Sequence, residues 1–168
     1  MGVTLQEYTR EELAAQPVGA WTGMASRLVV GALRAQLAVE GLTQPHWWTL
    51  NHVAGKPGFW TRAALVERLA RWDDARTDFD AVFDDLVARG WLTEDAGSTE
   101  DAEGTGGAAA GRMTLTEEGE AGRLRARERN AVVHRRVHEG IDPEEYATTV
   151  DVLRRMVANM GGDGNLPS

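Results

Sequence analysis

The sequence predicts a mainly α-helical domain with one small β-hairpin, in which a winged helix-turn-helix lies between flanking helices. Apolar residues recur at helical spacing along most of the chain. Three helical segments in the middle are followed by two short segments of strand character, residues 91–93 and 112–116. Long segments before and after this unit each carry an apolar seam, which predicts flanking helices that pack against a partner.

The composition fits one domain that spans residues 1–168 and has no catalytic signature. The chain is 42% apolar and has no cysteine, which excludes a disulfide or a thiolate metal site. No signal peptide or membrane-spanning run is recognisable, so we expect a cytoplasmic protein without a membrane partner. The net charge of −8 means that binding to nucleic acid needs a local basic patch.

The two ends of the chain predict dimerisation helices. Residues 1–17 read as an irregular arm, and a long helix follows at 18–39. Its seam comprises Trp21, Met24, Leu28, Gly31, Ala35 and Ala38. A strong start signal, Asp142–Pro143, opens the last helix, whose seam comprises Tyr146, Val150, Leu153, Val157 and Met160. We expect 18–42 and 117–160 to pair with a second copy of the chain.

The middle of the chain predicts the winged helix-turn-helix at 43–116. Thr43 and Thr61 are expected to cap its first two helices, with a short strand at 59–60 between them. The stretch "DDARTDFDAVFDDL" predicts the third, capped by Thr77, with one apolar face formed by Phe79, Val82, Phe83 and Leu86. The glycine-rich, acidic segment 94–111 predicts a mobile wing tip.

Four motifs in this order resemble the MarR family of bacterial winged-helix transcription regulators. They are "LTQPHWWTLNHVA" at 42–54, "TRAALVERL" at 61–69, "FDAVFDDLVARGWL" at 79–92 and "MTLTEEGE" at 113–120. The resemblance covers about residues 18–160. It implies a homodimer on a pseudo-palindromic double-stranded DNA operator, with recognition helices in major grooves about 34–36 Å apart. It also implies a repressor that a small aromatic effector, bound between the dimer base and the winged helix, releases from DNA.

The candidate DNA-binding residues lie at three places in this plan. Arg62 follows a helix cap, Arg76 precedes one and Arg112 lies on the wing strand, and all three positions suit phosphate contact. The resemblance places Thr77, Asp80 and Ala81 on the exposed face of the recognition helix, where Asp80 could accept a hydrogen bond from cytosine. Ordinary surface charge is the alternative for the arginines. Favourable charge at the helix start is the alternative for Asp78 and Asp80.

The candidate ligand-binding residues are Trp21, His46, Trp47 and Trp48. The last three lie on the helix that borders the effector pocket in the family that the chain resembles. A role in the core or at an interface is the alternative for the two adjacent tryptophans. His134 and His138 are four residues apart, but no further ligand accompanies them, so we expect neither a metal nor a cofactor.

The charge around the predicted recognition helix conflicts with DNA binding. Between residues 73 and 103 the chain has eleven acidic residues and two basic ones, Arg76 and Arg89. Acidic groups near phosphates lower the affinity for DNA. An alternative hypothesis is therefore a winged-helix protein whose DNA binding is weak or lost and whose acidic face, including Asp84 and Asp85, binds another protein.

Overall fold

A computed structural model describes residues 5–73, 75–95 and 111–165. The elements in chain order are α1 Arg10–Ala14, α2 Val18–Val39, α3 Gln44–Gly55, α4 Arg62–Leu69, α5 Phe79–Ala88, β1 Leu92–Asp95, β2 Arg112–Leu115, α6 Glu117–His138 and α7 Pro143–Asn159. This order confirms the predicted mainly helical fold with one hairpin. Most of the predicted wing tip, 96–110, lies outside the described residues. No helix in the described part of the chain combines the length and apolar character needed to cross a bilayer.

The helix starts follow local capping chemistry, with two differences from the sequence prediction. The Thr61 side chain accepts a hydrogen bond from the Ala64 amide, as expected of a cap. The cap of α5 is Asp78 rather than Thr77, because the Thr77 hydroxyl already donates to Asp73. The arm before Pro17 is also more regular than predicted, since α1 begins with a capping box.

The wing is an antiparallel pair, β1 and β2, with Leu92 opposite Leu115 and Asp95 opposite Arg112. The strand predicted at 59–60 is not a regular strand, but its backbone still pairs with β2. The Met113 amide donates to the Trp60 carbonyl at 2.9 Å, and the Gly58 amide donates to the Met113 carbonyl at 2.9 Å. These bonds fix the root of the wing against the connection between α3 and α4.

One apolar core joins the winged helix-turn-helix to the flanking helices. Phe83 and Leu86 of α5 are fully buried. Its other buried apolar members are Leu37, Leu42, Leu50, Val53, Leu65, Leu69, Phe79, Val82, Trp91, Leu92, Met113 and Ala126. Because Leu37 lies on α2 and Ala126 on α6, the flanking helices share this core with α3, α4, α5 and the wing.

Trp91 fixes the position of α6 against the end of α5. Its backbone carbonyl accepts a hydrogen bond from the Thr116 amide, and its ring lies against Gly122. The guanidinium groups of Arg89 and Arg125 lie 5.9 Å and 5.8 Å from the ring centroid. A side chain at Gly119 would overlap the Trp91 carbonyl, so the close approach of α6 needs glycine there.

Gly119→Ala is therefore expected to destabilise the protein by about 1–3 kcal/mol, because the added Cβ overlaps a backbone atom that cannot rotate away. The free energy of unfolding from urea titration measures this effect. Gly19→Ala is the matched control, since its Cβ would meet no atom within 4 Å and the change favours helix. Equal stabilities of the two variants would contradict the packing of α6 on Trp91.

Candidate DNA interface and ligand cavity

The two faces of α5 differ completely in character. The face formed by residues 79, 82, 83 and 86 is buried in the core, while Asp80, Ala81 and Asp84 are exposed to water. Asp78 caps the helix by accepting a hydrogen bond from the Ala81 amide at 3.2 Å. One acidic residue therefore has a local structural role, and two remain on the exposed face of the predicted recognition helix.

Arg62, a predicted phosphate contact, is surrounded by three carboxylates. Its guanidinium donates to Glu94 and to Asp84, each at 2.7 Å, and lies 3.4 Å from Asp80. The hydrogen bond to Glu94 is the main reason that the pKa of Arg62 is raised, with a further contribution from Asp84. A DNA phosphate that binds Arg62 must therefore compete with these carboxylates.

Arg76 lies in a tight turn directly before α5 and is exposed. It adopts a φ of 54°, an unusual left-handed conformation for a residue with a side chain. The Asp73 carboxylate holds both neighbours of Arg76, accepting from the Ala75 amide at 3.2 Å and from the Thr77 amide at 2.5 Å. The hydrogen bond from the Thr77 amide is the main reason that the pKa of Asp73 is lowered. Thr77 is half-buried, so this turn presents Arg76 rather than Thr77 to solvent.

Arg112 and Arg71 add exposed positive charge around the helix-turn-helix. Arg112 begins β2 and donates to the Phe59 carbonyl at 3.0 Å. Arg71 was not among the predicted site residues and lies two positions beyond the end of α4. Within the described residues, neither it nor Arg76 has an ion pair. The sequence signal for Arg71 is its place in the turn between two predicted helices.

A cavity of about 560 Å³ separates α2 and α3 from the turn before α5. Its volume lies within the usual range for small-molecule sites. The lining residues are Arg34, Ala38, Leu42, Thr43, Gln44, Pro45, His46, Trp48, Asp73, Ala75, Thr77 and Val82. One wall thus belongs to the flanking helix α2 and the opposite wall to α5 and its leading turn.

The cavity brings together two of the four predicted ligand-binding residues, His46 and Trp48. Trp47 packs against the core, and Trp21 is exposed on α2, where its indole N–H donates to Gln16. Neither contributes to the lining. Sequence reasoning missed Arg34, which donates to Gln44 through Nε at 2.7 Å. The two terminal guanidinium nitrogens of Arg34 have no hydrogen bond to a described residue and can serve an anion.

The imidazole of His46 is nearly buried and joins α3 to α5. The Thr43 amide donates to Nδ1 at 3.3 Å, and Nε2 lies 3.1 Å from the Asp85 carboxylate. An amide can only donate and a carboxylate can only accept, so the hydrogen of the neutral ring is on Nε2. Burial lowers the pKa of His46, although the nearby Asp85 opposes that effect.

Asp85 does not belong to the exposed acidic face, although its sequence neighbour Asp84 does. Besides His46, it binds Arg89 of the same helix, with 2.6 Å between Asp85 Oδ2 and Arg89 Nε. Arg89 in turn donates to the Gly41 carbonyl at 3.0 Å, just after the end of α2. The spacing of Asp85 and Arg89 was a usable sequence signal for this pair.

The histidine pair on α6 forms an aromatic stack. The rings of His134 and His138 lie 4.1 Å apart, and Tyr146 of α7 lies 4.1 Å from His138. The described residues contain no group of three or more histidine, cysteine or acidic residues that could hold a metal.

No family model and no curated protein matches the chain. Solved structures do match its fold. PcaV, a transcriptional regulator from Streptomyces coelicolor, is 19% identical, with a TM-score of 0.68 over 87% of this chain and 98% of PcaV. CouR, a transcriptional repressor solved on a 23-mer DNA duplex, is 22% identical, with a TM-score of 0.64 over 93% of this chain and 99% of CouR.

A third match is the MarR family protein Rv2887 of Mycobacterium tuberculosis, solved with p-aminosalicylic acid. It is 20% identical, with a TM-score of 0.58 over 88% of this chain and all of that one. At these identities the similarity establishes the fold, which is that of the MarR-family winged-helix regulators.

The lowered pKa of His46 predicts a pH effect on stability. In the unfolded chain His46 takes up a proton at about pH 6.5, whereas in the folded protein it becomes protonated only at lower pH. Acidification therefore favours unfolding. This contribution is complete above about pH 6.5 and is lost as the pH falls towards the folded pKa. As the pH is lowered from about 7.5 to 5.5, the free energy of unfolding is expected to fall less for His46→Gln than for the wild type.

Urea titrations across that range measure the difference, at pH values above those at which carboxylates titrate. Parallel pH dependence in the two proteins would show that His46 does not carry the effect.

Proposed function

We propose, from the fold of the MarR-family regulators, that the protein is a dimeric DNA-binding transcription repressor controlled by an anionic aromatic ligand. The observation that carries this proposal is the cavity between α2 and α5, because it connects a ligand site with the helix that would enter the major groove. The protein would then act by binding rather than by catalysis.

DNA binding is supported by the exposed arginines of the helix-turn-helix and the wing. Arg76 precedes α5, Arg71 follows α4 and Arg112 begins β2, positions at which side chains can reach phosphates on either side of a groove. Asp80 and Ala81 lie on the exposed face of α5, where base edges would be read. The solved structure of CouR contains a DNA duplex, and the same fold here makes that mode of binding available.

Part of the negative charge on this face is compensated within the protein. Arg62 binds Asp84 and Glu94, and the partly exposed Asp85 binds His46 and Arg89. A role restricted to protein binding through the acidic face is accordingly the weaker proposal.

Ligand chemistry follows from the lining of the cavity. Arg34 offers to a carboxylate two guanidinium nitrogens that bind no described residue, and the half-buried indole of Trp48 offers a flat apolar surface to a ring. The Rv2887 protein was solved with p-aminosalicylic acid, an aromatic carboxylic acid. We propose a ligand of that class, which would release the repressor from DNA.

Dimerisation is supported by the apolar surface that a single chain leaves exposed on α2 and α7. No residue of α7 is buried. The exposed apolar residues on these two helices are Val18, Trp21, Met24, Leu28, Val39, Tyr146, Val150, Met156 and Val157. A groove lined by both helices, with Val18 and Val157 among its residues, provides a place for side chains of a second copy. The aromatic stack of Tyr146 on His138 would orient α7 towards it.

Arg76→Ala is expected to weaken binding to duplex DNA of any sequence, because a phosphate contact is independent of the base pairs. The slope of log affinity against log salt should fall by about one for each phosphate that the variant no longer binds. Fluorescence anisotropy with random and genomic duplexes at low salt measures both quantities. Arg76→Lys keeps the charge and should retain most of the binding. No binding by the wild type at micromolar protein would refute the DNA-binding proposal.

Val157→Glu is expected to convert the dimer to a monomer, because it places a charge in the apolar groove between α2 and α7. Sedimentation velocity measures the mass, and circular dichroism checks that the helices remain. Thr148→Glu, an exposed position on the same helix but off its apolar seam, is the control. A monomeric wild type, or a Val157→Glu protein that remains dimeric, would contradict the proposed interface.

A further inference from the structure

His46 is a polar link between the cavity and the second half of α5. It lines the cavity from α3, and its ring reaches across to Asp85 in the second half of α5. The side chain of His46 is only 10% exposed, whereas that of Asp85 is 41% exposed. His46 lines the cavity and Asp85 does not, so a small molecule in the cavity reaches this contact through the His46 ring.

Both nitrogens of this imidazole are already used by the protein. The Thr43 amide and hydroxyl lie 3.3 Å and 2.7 Å from Nδ1, and the single ring hydrogen on Nε2 points to Asp85. A neutral imidazole has one hydrogen to donate and one lone pair to accept. Any hydrogen bond that His46 makes with a ligand must consequently replace a bond to Thr43 or to Asp85.

An anionic ligand selects which bond is replaced. A carboxylate can only accept hydrogen bonds, so a carboxylate ligand must accept the bond that His46 Nε2 donates to Asp85. It also brings a second negative charge towards Asp85, and like charges in a partly buried site repel. Arg34, on the opposite wall, favours the arrival of the anion.

We propose that His46 couples occupancy of the cavity to the position of α5. An anionic aromatic ligand accepts the hydrogen bond from His46 Nε2 in place of Asp85 and thereby releases α5 from α3. This inference rests on the proposed function and specifies its regulation. Asp85 keeps Arg89 as its partner at 2.6 Å, and Arg89 also holds the Gly41 carbonyl. The released helix is thus still held at its end by α2, so the ligand changes its position relative to α3 without unfolding it.

Asp84 and Asp85 form a matched pair for testing this coupling. Asp85→Ala and Asp84→Ala remove the same charge from neighbouring positions of one helix, and both should raise DNA affinity by reducing repulsion. Only Asp85 contacts His46, since Asp84 binds Arg62. Alanine leaves no acceptor for the His46 Nε2 hydrogen, so an effect of the ligand that depends on this contact should disappear in Asp85→Ala alone.

The experiment uses p-aminosalicylate as the probe, with its binding followed by tryptophan fluorescence. Hydrogen exchange of the α5 amides is measured with and without the probe in the absence of DNA, for the wild type, Asp84→Ala and Asp85→Ala. Anisotropy in parallel samples gives the dissociation constant for one DNA duplex with and without the probe.

We expect the probe to raise exchange in α5 and weaken DNA binding at least about fivefold in the wild type and Asp84→Ala. In Asp85→Ala the exchange response should be absent and the ratio of dissociation constants should approach one, while the probe still binds. A full response in Asp85→Ala would overturn the inference, and so would a probe that does not bind or that binds the wild type without changing α5. An exchange response that depends on Asp85, without DNA binding by any variant, would support the coupling and overturn the proposed function.

Discussion

The fixed orientation of α5 about its own axis is the constraint on which the rest of this structure depends. Phe83 and Leu86 have no exposed surface, so the helix cannot turn without removing large apolar groups from the core. Successive residues of a helix point about 100° apart. With Phe83 and Leu86 inside, Asp84 faces solvent and Arg62, whereas Asp85 faces α3 and meets His46. Two neighbouring aspartates thereby acquire different partners.

This orientation also determines which charges would face DNA under the proposed function. In the proposed complex the carboxylates of α5 do not all face the DNA groove, because Asp85 contacts His46 at the side of the helix and Asp84 binds Arg62. Positive charge is carried by the segments that flank the helix, at Arg71 and Arg76 on one side and Arg112 on the wing. Phosphates lie at the edges of a groove and bases at its floor, so charge in the flanking turns suits contact with the backbone.

The flanking helices and the winged helix-turn-helix are joined by polar contacts as well as by the shared core. The Glu40 carboxylate, just after α2, accepts from Arg125 and Arg129 of α6, which hold the pKa of Glu40 below its usual value. Next to it the Gly41 carbonyl accepts from Arg89 of α5. The cavity lies beside this junction, so a ligand there would contact both parts of the protein, whose relative position matters for the proposed DNA binding.

Local sequence signals predicted the helices well, because capping and apolar periodicity act within a few residues. The helix at 18–39, the cap at Thr61 and the start at Pro143 all agree with the structure. Thr77 was wrongly assigned as the cap of α5, because Asp73 competes for its hydroxyl. The expected strand at 59–60 has strand-like bonds to β2 but too little regular pairing to be one.

The sequence by itself determined the order of the elements, the apolar face of α5 and the excess of acid around it, since these are properties of neighbouring residues. The tertiary structure alone decided which acids are neutralised and what surrounds the cavity. His46 and Asp85 are separated by 39 positions and Arg62 and Glu94 by 32, and no local pattern encodes such contacts. They arise because burial of the core brings α3, α4, α5 and the wing together, and only then do these charges meet.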